Sequence, residues 1–188
     1  MPHAAKHAAL PRQPARTALA AGDLAILTSR GRGILAARAA TLTEVQANLM
    51  AGLGRGLLSI TLDLATAFRL GIQPMAGSRL PDDGAPVYLA SIEVADCPGS
   101  GISAADRALT IRTAADPAAG AGAVVMPGHI MPLLIRRPAG DTLPEIAAGL
   151  LPRQSIAWCD ILGDDGDLAD AGYCHDLGER HGIVAEDF

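Results

Sequence analysis

The chain reads as a single α/β domain of the layered kind, helices packed on a sheet, and three observations predict it. Short β-branched runs alternate with capped helical stretches along its length, so strands and helices interleave rather than segregate. Apolar residues make up 49% of the 188 positions and aromatics only 3%, which requires a core of closely packed Ala, Leu, Ile and Val. No internal repeat or second compositional block divides residues 1–188, a length at which one domain buries most of its surface without disulfides or a structural metal.

In order, residues 1–13 carry Pro2 and Pro11 among alanines and form a loose lead-in to a short helix that ends near Gly22. Leu24 to Thr28 is a strand, and Ser29-Arg30-Gly31-Arg32-Gly33 is a flexible basic loop before a second short strand. Thr41 and Glu44 have capping-box spacing, and Leu42, Val45, Leu49 and Leu53 share a face, so a helix is expected over 42–52. A buried strand follows over 56–62. Asp63 caps a helix running to Leu70, which Gly71 terminates. Residues 74–86 form a long Pro/Gly/Asp-rich loop, and a strand runs from Val87 to about Val94.

Ser103 and Asp106 have N-cap and N3 spacing, so a helix begins there, runs through Arg112 and stops before Asp116-Pro117. A strand near 131–135, a helix after Asp141-Thr142, a strand over 155–161, a turn at Asp164-Asp165-Gly166 and a helix near 169–181 complete the set.

The formal charge of −5 opposes broad attraction to nucleic acid or anionic lipid, while leaving room for a local cationic pocket that takes a small anionic substrate. Cys97, Cys159 and Cys174 are odd in number and lack C-x-x-C spacing. They read as small buried residues in a reducing, cytoplasmic protein. No run reaches the roughly 18 apolar residues of a membrane span.

Gly99-Ser-Gly-Ile-Ser-Ala-Ala-Asp-Arg107, then Thr110-Ile111-Arg112 and Pro127-Gly128-His129 ahead of Pro132, resembles the centre of the 3,4-dihydroxy-2-butanone 4-phosphate synthase family. Gly54-Arg55-Gly56, Cys159-Asp160 and Asp164-Asp165-Gly166 extend the resemblance over nearly the whole chain. It implies a lyase that converts ribulose 5-phosphate to a four-carbon phosphate and formate. It also implies a homodimer with sites at the subunit interface, and Mg²⁺ as cofactor.

The family follows its first strand with an acidic loop of the form D-D-E-x-R-E-N-E-G-D, which supplies a metal ligand and binds sugar hydroxyls. The equivalent stretch here, residues 28–34, has no carboxylate and carries Arg30 and Arg32. Mg²⁺ requires oxygen ligands, usually with one or two carboxylates, whereas guanidinium groups suit phosphate or carboxylate. The family's second metal ligand is the histidine of R-G-G-H-T-E-A, matched by Asp141. The following Thr142 matches a phosphate-contacting threonine, and Arg136 and Arg137 lie just upstream of the motif's arginine position. Asp141 is therefore a metal ligand, or Asp141 or Thr142 is a helix cap.

His129 matches the histidine of the family's P-G-H motif, and Asp160 stands where the family has glutamate. The resemblance assigns both to proton transfer, with the bland alternative of a hydrogen-bonded structural histidine. Asp106 and Arg107 read as scaffold at a helix start. Three functions follow: a diverged lyase working by enolisation on a small anionic polyhydroxy compound, the ordinary family reaction, or a catalytically silent paralogue that binds a ligand or an active homologue.

Overall fold

In the computed structural model, which describes residues 14–75, 83–137 and 140–188, the expected interleaving of strands and helices is present. Helix α1 (Pro14–Ala21) leads into β1 (Ala25–Ser29) and β2 (Arg32–Arg38). Then come α2 (Glu44–Leu49), β3 (Ser59–Leu62), α3 (Leu64–Leu70), β4 (Val87–Tyr88), β5 (Ile92–Val94) and α4 (Ala104–Ala115). The chain continues through β6 (Val124–Leu134), α5 (Leu143–Leu150), β7 (Ile156–Asp160), α6 (Ala171–His181) and β8 (Val184–Asp187). The strands make one mixed sheet in the order β4-β6-β3-β7-β2-β1-β8, with β5 paired to β6.

Strand alternation sends apolar side chains to both faces, and each face is covered. Ile26, Leu35, Ile60, Ala157 and Cys159 pack beneath α2, α3, α4 and α6. Leu27, Ile34, Ala36, Leu133 and Trp158 pack beneath α1 and α5. Alanines at the contacts, Ala47, Ala108 and Ala147, are fully buried and let the helices approach closely without aromatic filling.

The caps expected at Asp63 and Ser103 are formed. Asp63 Oδ1 accepts from the Thr66 amide at 2.7 Å and Ser103 Oγ from the Asp106 amide at 3.1 Å, each contributing about 1 kcal/mol.

Several expectations are corrected. The helix expected over 42–52 is shorter: Thr43 caps it, exchanging hydrogen bonds with Gln46, and a π-helical turn over Met50–Gly54 follows. Leu42 is buried but precedes the helix, and Val45 is 64% exposed. The inward face is Ala47 and Met50, because close packing rewards the small residue over the apolar stripe. The strand expected from 56 starts at Ser59, and that over 87–94 divides into β4 and β5. Both pair with β6, which begins seven residues before the expected strand at 131–135 and carries Pro127-Gly128-His129 within it.

The basic loop over 29–33 is not a loop. Ser29 pairs with Arg32, leaving Arg30 and Gly31 as a two-residue hairpin turn with φ of 52° and 74°, the positive pair that such turns require. Strand β8 was not anticipated, since Val-Ala-Glu-Asp has no strand periodicity. It is held by tertiary contacts: parallel pairing with β1, the Thr28 hydroxyl on the Asp187 carboxylate, and the Ala15 amide on Glu186 at 2.8 Å. The lead-in at 1–13 and most of the 74–86 loop lie outside the described residues.

Candidate functional site

Register alone brings the two proton-transfer candidates to one end of the sheet. Met131 on β6 and Trp158 on β7 both pair with Ser59 of the intervening β3. His129 lies two residues before Met131 and Asp160 two after Trp158, and β6 and β7 run in opposite directions. Both therefore reach the same level, flanking β3. One intervening strand sets their backbones on the order of 10 Å apart.

His129 is presented by a bulge. Ile92 pairs with Ile130 and Glu93 with Val125, so Met126, Pro127, Gly128 and His129 have no partner on β5. Such irregularities re-aim side chains beside active sites. Gly128 lies hard against the Ile92 backbone, and its amide donates to Ser91 Oγ at 3.2 Å. His129 Nδ1 lies 2.8 Å from Glu93 Oε2, and the imidazole is 44% exposed against 11% for the carboxylate.

Asp160 is placed by the Gly54-Arg55-Gly56 segment. Gly56 packs on the Asp160 backbone so closely that a Cβ would stand 2.6 Å from its carbonyl oxygen. Arg55, at φ 65°, donates to Asp164 Oδ1 at 3.0 Å and to the Gly163 carbonyl at 3.1 Å. The two resemblance motifs thus lock together around the end of β7.

Burial pushes the Asp160 carboxyl above the ordinary carboxylate range, partly offset by the Arg32 guanidinium. Burial, and then the Asp160 charge, raises the Tyr88 phenol. Asp160, Arg32 and Tyr88 thus form one electrostatic group. Because the folded pKa of Asp160 lies above its unfolded value, its contribution to stability is present at low pH and is lost as pH rises through the folded pKa. Asp160→Asn removes that dependence. It is expected to melt higher than the parent at neutral pH, with the difference vanishing in acid below the ordinary carboxylate pKa; thermal melts across pH check it. A variant less stable at neutral pH would show that the Arg32 attraction outweighs burial.

Arg30 Nη2 meets Asp141 Oδ2 at 3.3 Å, with both side chains about three-quarters exposed (75% and 77%). Such a pair adds roughly 0–1 kcal/mol. Thr142 is the N-cap of α5, and its amide and hydroxyl donate to Glu145 Oε2 at 3.1 and 2.7 Å. Thr142 thus occupies a helix-cap position.

The structure does not bring Arg136 or Arg137 to this end. Arg136 lines a cavity of about 740 Å³ at the opposite end, with Thr61, Asp63, Arg153 and Ser155, and Arg137 lies against Gly84. Cys159 and Cys174 are buried against Gly54 and Gly33, and burial lifts their thiols to about 12 and about 11, as inert packing residues.

Among the described residues no three His, Cys, Asp or Glu side chains converge on a common point. The hairpin turn between β1 and β2 carries Arg30, which engages the Asp141 carboxylate.

Two residues of this region, Glu93 and Tyr88, escaped the sequence reading, and Thr110 entered it only as part of a resemblance motif. Glu93 had a signal, a charge between Ile92 and Val94 in a short apolar run. Tyr88 had none, because its role arises only from contacts across elements.

A family model described as 3,4-dihydroxy-2-butanone 4-phosphate synthase matches residues 13–186. A protein of that name from Neisseria meningitidis serogroup B is 34% identical over 174 residues, covering 86% of this chain and 47% of the relative. The chain thus spans about half the length of that relative. A solved structure of the Candida albicans protein of that name is 26% identical with TM-score 0.77, covering 92% of this chain and 91% of that one. Another structure, described as the same synthase in complex with two magnesium ions, has TM-score 0.76 at 22% identity, covering 92% of this chain and 90% of that one, and shows the fold alone. Among the described residues no helix is long and apolar enough to cross a membrane.

Proposed function

We propose, from the premise that this chain belongs to the 3,4-dihydroxy-2-butanone 4-phosphate synthase family, that it is a lyase acting by enolisation on a small anionic polyhydroxy compound of sugar-phosphate type. The observation that carries this reading is the placement of His129 and Asp160 at one end of the sheet, with Arg32 beside Asp160. In this proposal neutral His129 removes the proton next to a carbonyl, and the electron pair moves onto the carbonyl oxygen. Asp160, whose carboxyl is raised by burial, exchanges a proton with the resulting enediolate. Arg32 places fixed positive charge near the developing oxyanion, and Arg30 at the hairpin tip is free to exchange its exposed Asp141 partner for the substrate's anionic group. The chain acts as a homodimer in a reducing, cytoplasmic setting. The exposed Val125 and Met126 beside the His129 bulge offer apolar surface for the second copy.

A second reading, the ordinary conversion of ribulose 5-phosphate to dihydroxybutanone phosphate and formate, is favoured by the 34%-identical relative that carries that enzyme's name. One experiment separates the two. Purified protein is incubated with ribulose 5-phosphate, with and without Mg²⁺, and both products are scored by mass spectrometry. The remodelled turn predicts no Mg²⁺-dependent formate release, and turnover with other sugar phosphates. Robust Mg²⁺-dependent formation of both products would establish the ordinary reaction instead. Folded protein that turns over none of these compounds would leave a ligand-binding paralogue. Native mass spectrometry of the same sample is expected to read two chains.

A further inference from the structure

The motif that carries the family resemblance is built around a carboxylate with no assigned task. Glu93 is 8% exposed on β5, and its two oxygens are divided between two partners. Oε2 faces His129 Nδ1 at 2.8 Å, and Oε1 accepts from the Thr110 hydroxyl at 2.6 Å. Thr110 is itself fixed, fully buried on α4 and accepting from the Val94 amide at 3.1 Å. The third wall is Gly101, at φ 81°, whose amide donates to Asp106 Oδ2 at 3.2 Å. A side chain at Gly101 would overlap the Glu93 carboxylate and stand 2.7 Å from His129 Nδ1. Strand β6, helix α4 and the loop that precedes α4 therefore close on one carboxylate.

We propose that Glu93 is the positioning residue of His129: it holds the neutral imidazole as the Nδ1–H tautomer and leaves the Nε2 lone pair as the base on the exposed side. A carboxylate accepts only, so the nitrogen facing it must carry the proton. Free histidine does not impose this choice; the partner of one ring nitrogen sets the state of the other. The Gly99–Asp106 segment then has a physical purpose. Asp106 restrains Gly101, and the absent Cβ at 101 makes room for the Glu93–His129 pair. The inference rests on His129 being the base, and its test separates the two.

Nitrogen-15 correlation spectra of the histidine rings report the tautomer directly, recorded well above the ordinary imidazole range of about 6.5 and assigned by the signal lost in His129→Gln. The parent is expected to show Nδ1 protonated and Nε2 bare. In the isosteric Glu93→Gln, the amide oxygen takes the Thr110 hydrogen bond and the NH₂ group faces Nδ1. The ring is then expected to convert to Nε2–H, with kcat falling roughly 10 to 100-fold and KM little changed, as for other orienting partners. A parent already in the Nε2–H form overturns the proposal with no variant needed, and so does an unchanged tautomer in folded Glu93→Gln. If the tautomer converts yet His129→Ala turns over at the parental rate, positioning stands and the base assignment fails.

Discussion

Gly128→Ala is expected to cost about 3 kcal/mol or more and to leave little folded protein at physiological temperature. The added Cβ would overlap the Ile92 carbonyl and the Glu93 amide nitrogen, all main-chain atoms. Main chain cannot rotate aside as a flexible side chain can, and Ile92 is fully buried and paired with Ile130. Overpacking commonly costs about 1–3 kcal/mol, and a three-atom backbone collision belongs at the upper end. Set against a native stability of about 5–15 kcal/mol, that is a large fraction of the total. Gly120→Ala is the control, since nothing lies within 4 Å of its added carbon; a shift within about 0.5 kcal/mol is expected there. Urea unfolding of the two variants beside the parent decides the matter. A Gly128→Ala midpoint equal to that of the control would show that the bulge has room to move.

His129→Ala is expected to lower turnover of the chain's substrate by about 10² to 10⁴-fold, the usual worth of a positioned general base. The fold should persist. The imidazole is nearly half exposed, and Glu93 keeps its Thr110 hydrogen bond after the truncation. Losing one charge-assisted partner of a buried carboxylate costs about 1–3 kcal/mol, within what a domain of this size withstands. Steady-state rates beside a thermal melt test both halves. A folded variant with parental turnover would place the base elsewhere.

Much of the fold was readable from local chemistry. Asp63 and Ser103 capped their helices as their spacing required, because a cap is a contact between residues three apart. The helix after Thr142 and the strand ending at Asp160 were likewise recoverable from periodicity and flanking turn residues. What failed shares one cause. Val45 and Leu49 share a helical face with Leu42, yet packing against α4 selected Ala47. Val184–Asp187 forms a strand only because β1 offers it an edge. The basic character of the segment after β1 was legible, but its shape as a two-residue turn depended on the Ser29–Arg32 pairing.

The candidate site divides in the same way. Its residue types and family were set by sequence alone: Pro127-Gly128-His129, Cys159-Asp160 and the guanidinium groups of Arg30 and Arg32 are local facts. Tertiary structure decided which of them meet. It brought His129 and Asp160 to one level beside β3, drew Arg32 and Tyr88 toward Asp160, set Arg136 at the far end of the sheet, and put Glu93 behind His129. Sequence spacing can specify a cap or a turn because the chain itself connects the partners. A contact between residues on different strands depends on sheet order, register and bulges, which arise only when every element has found its place in the common core.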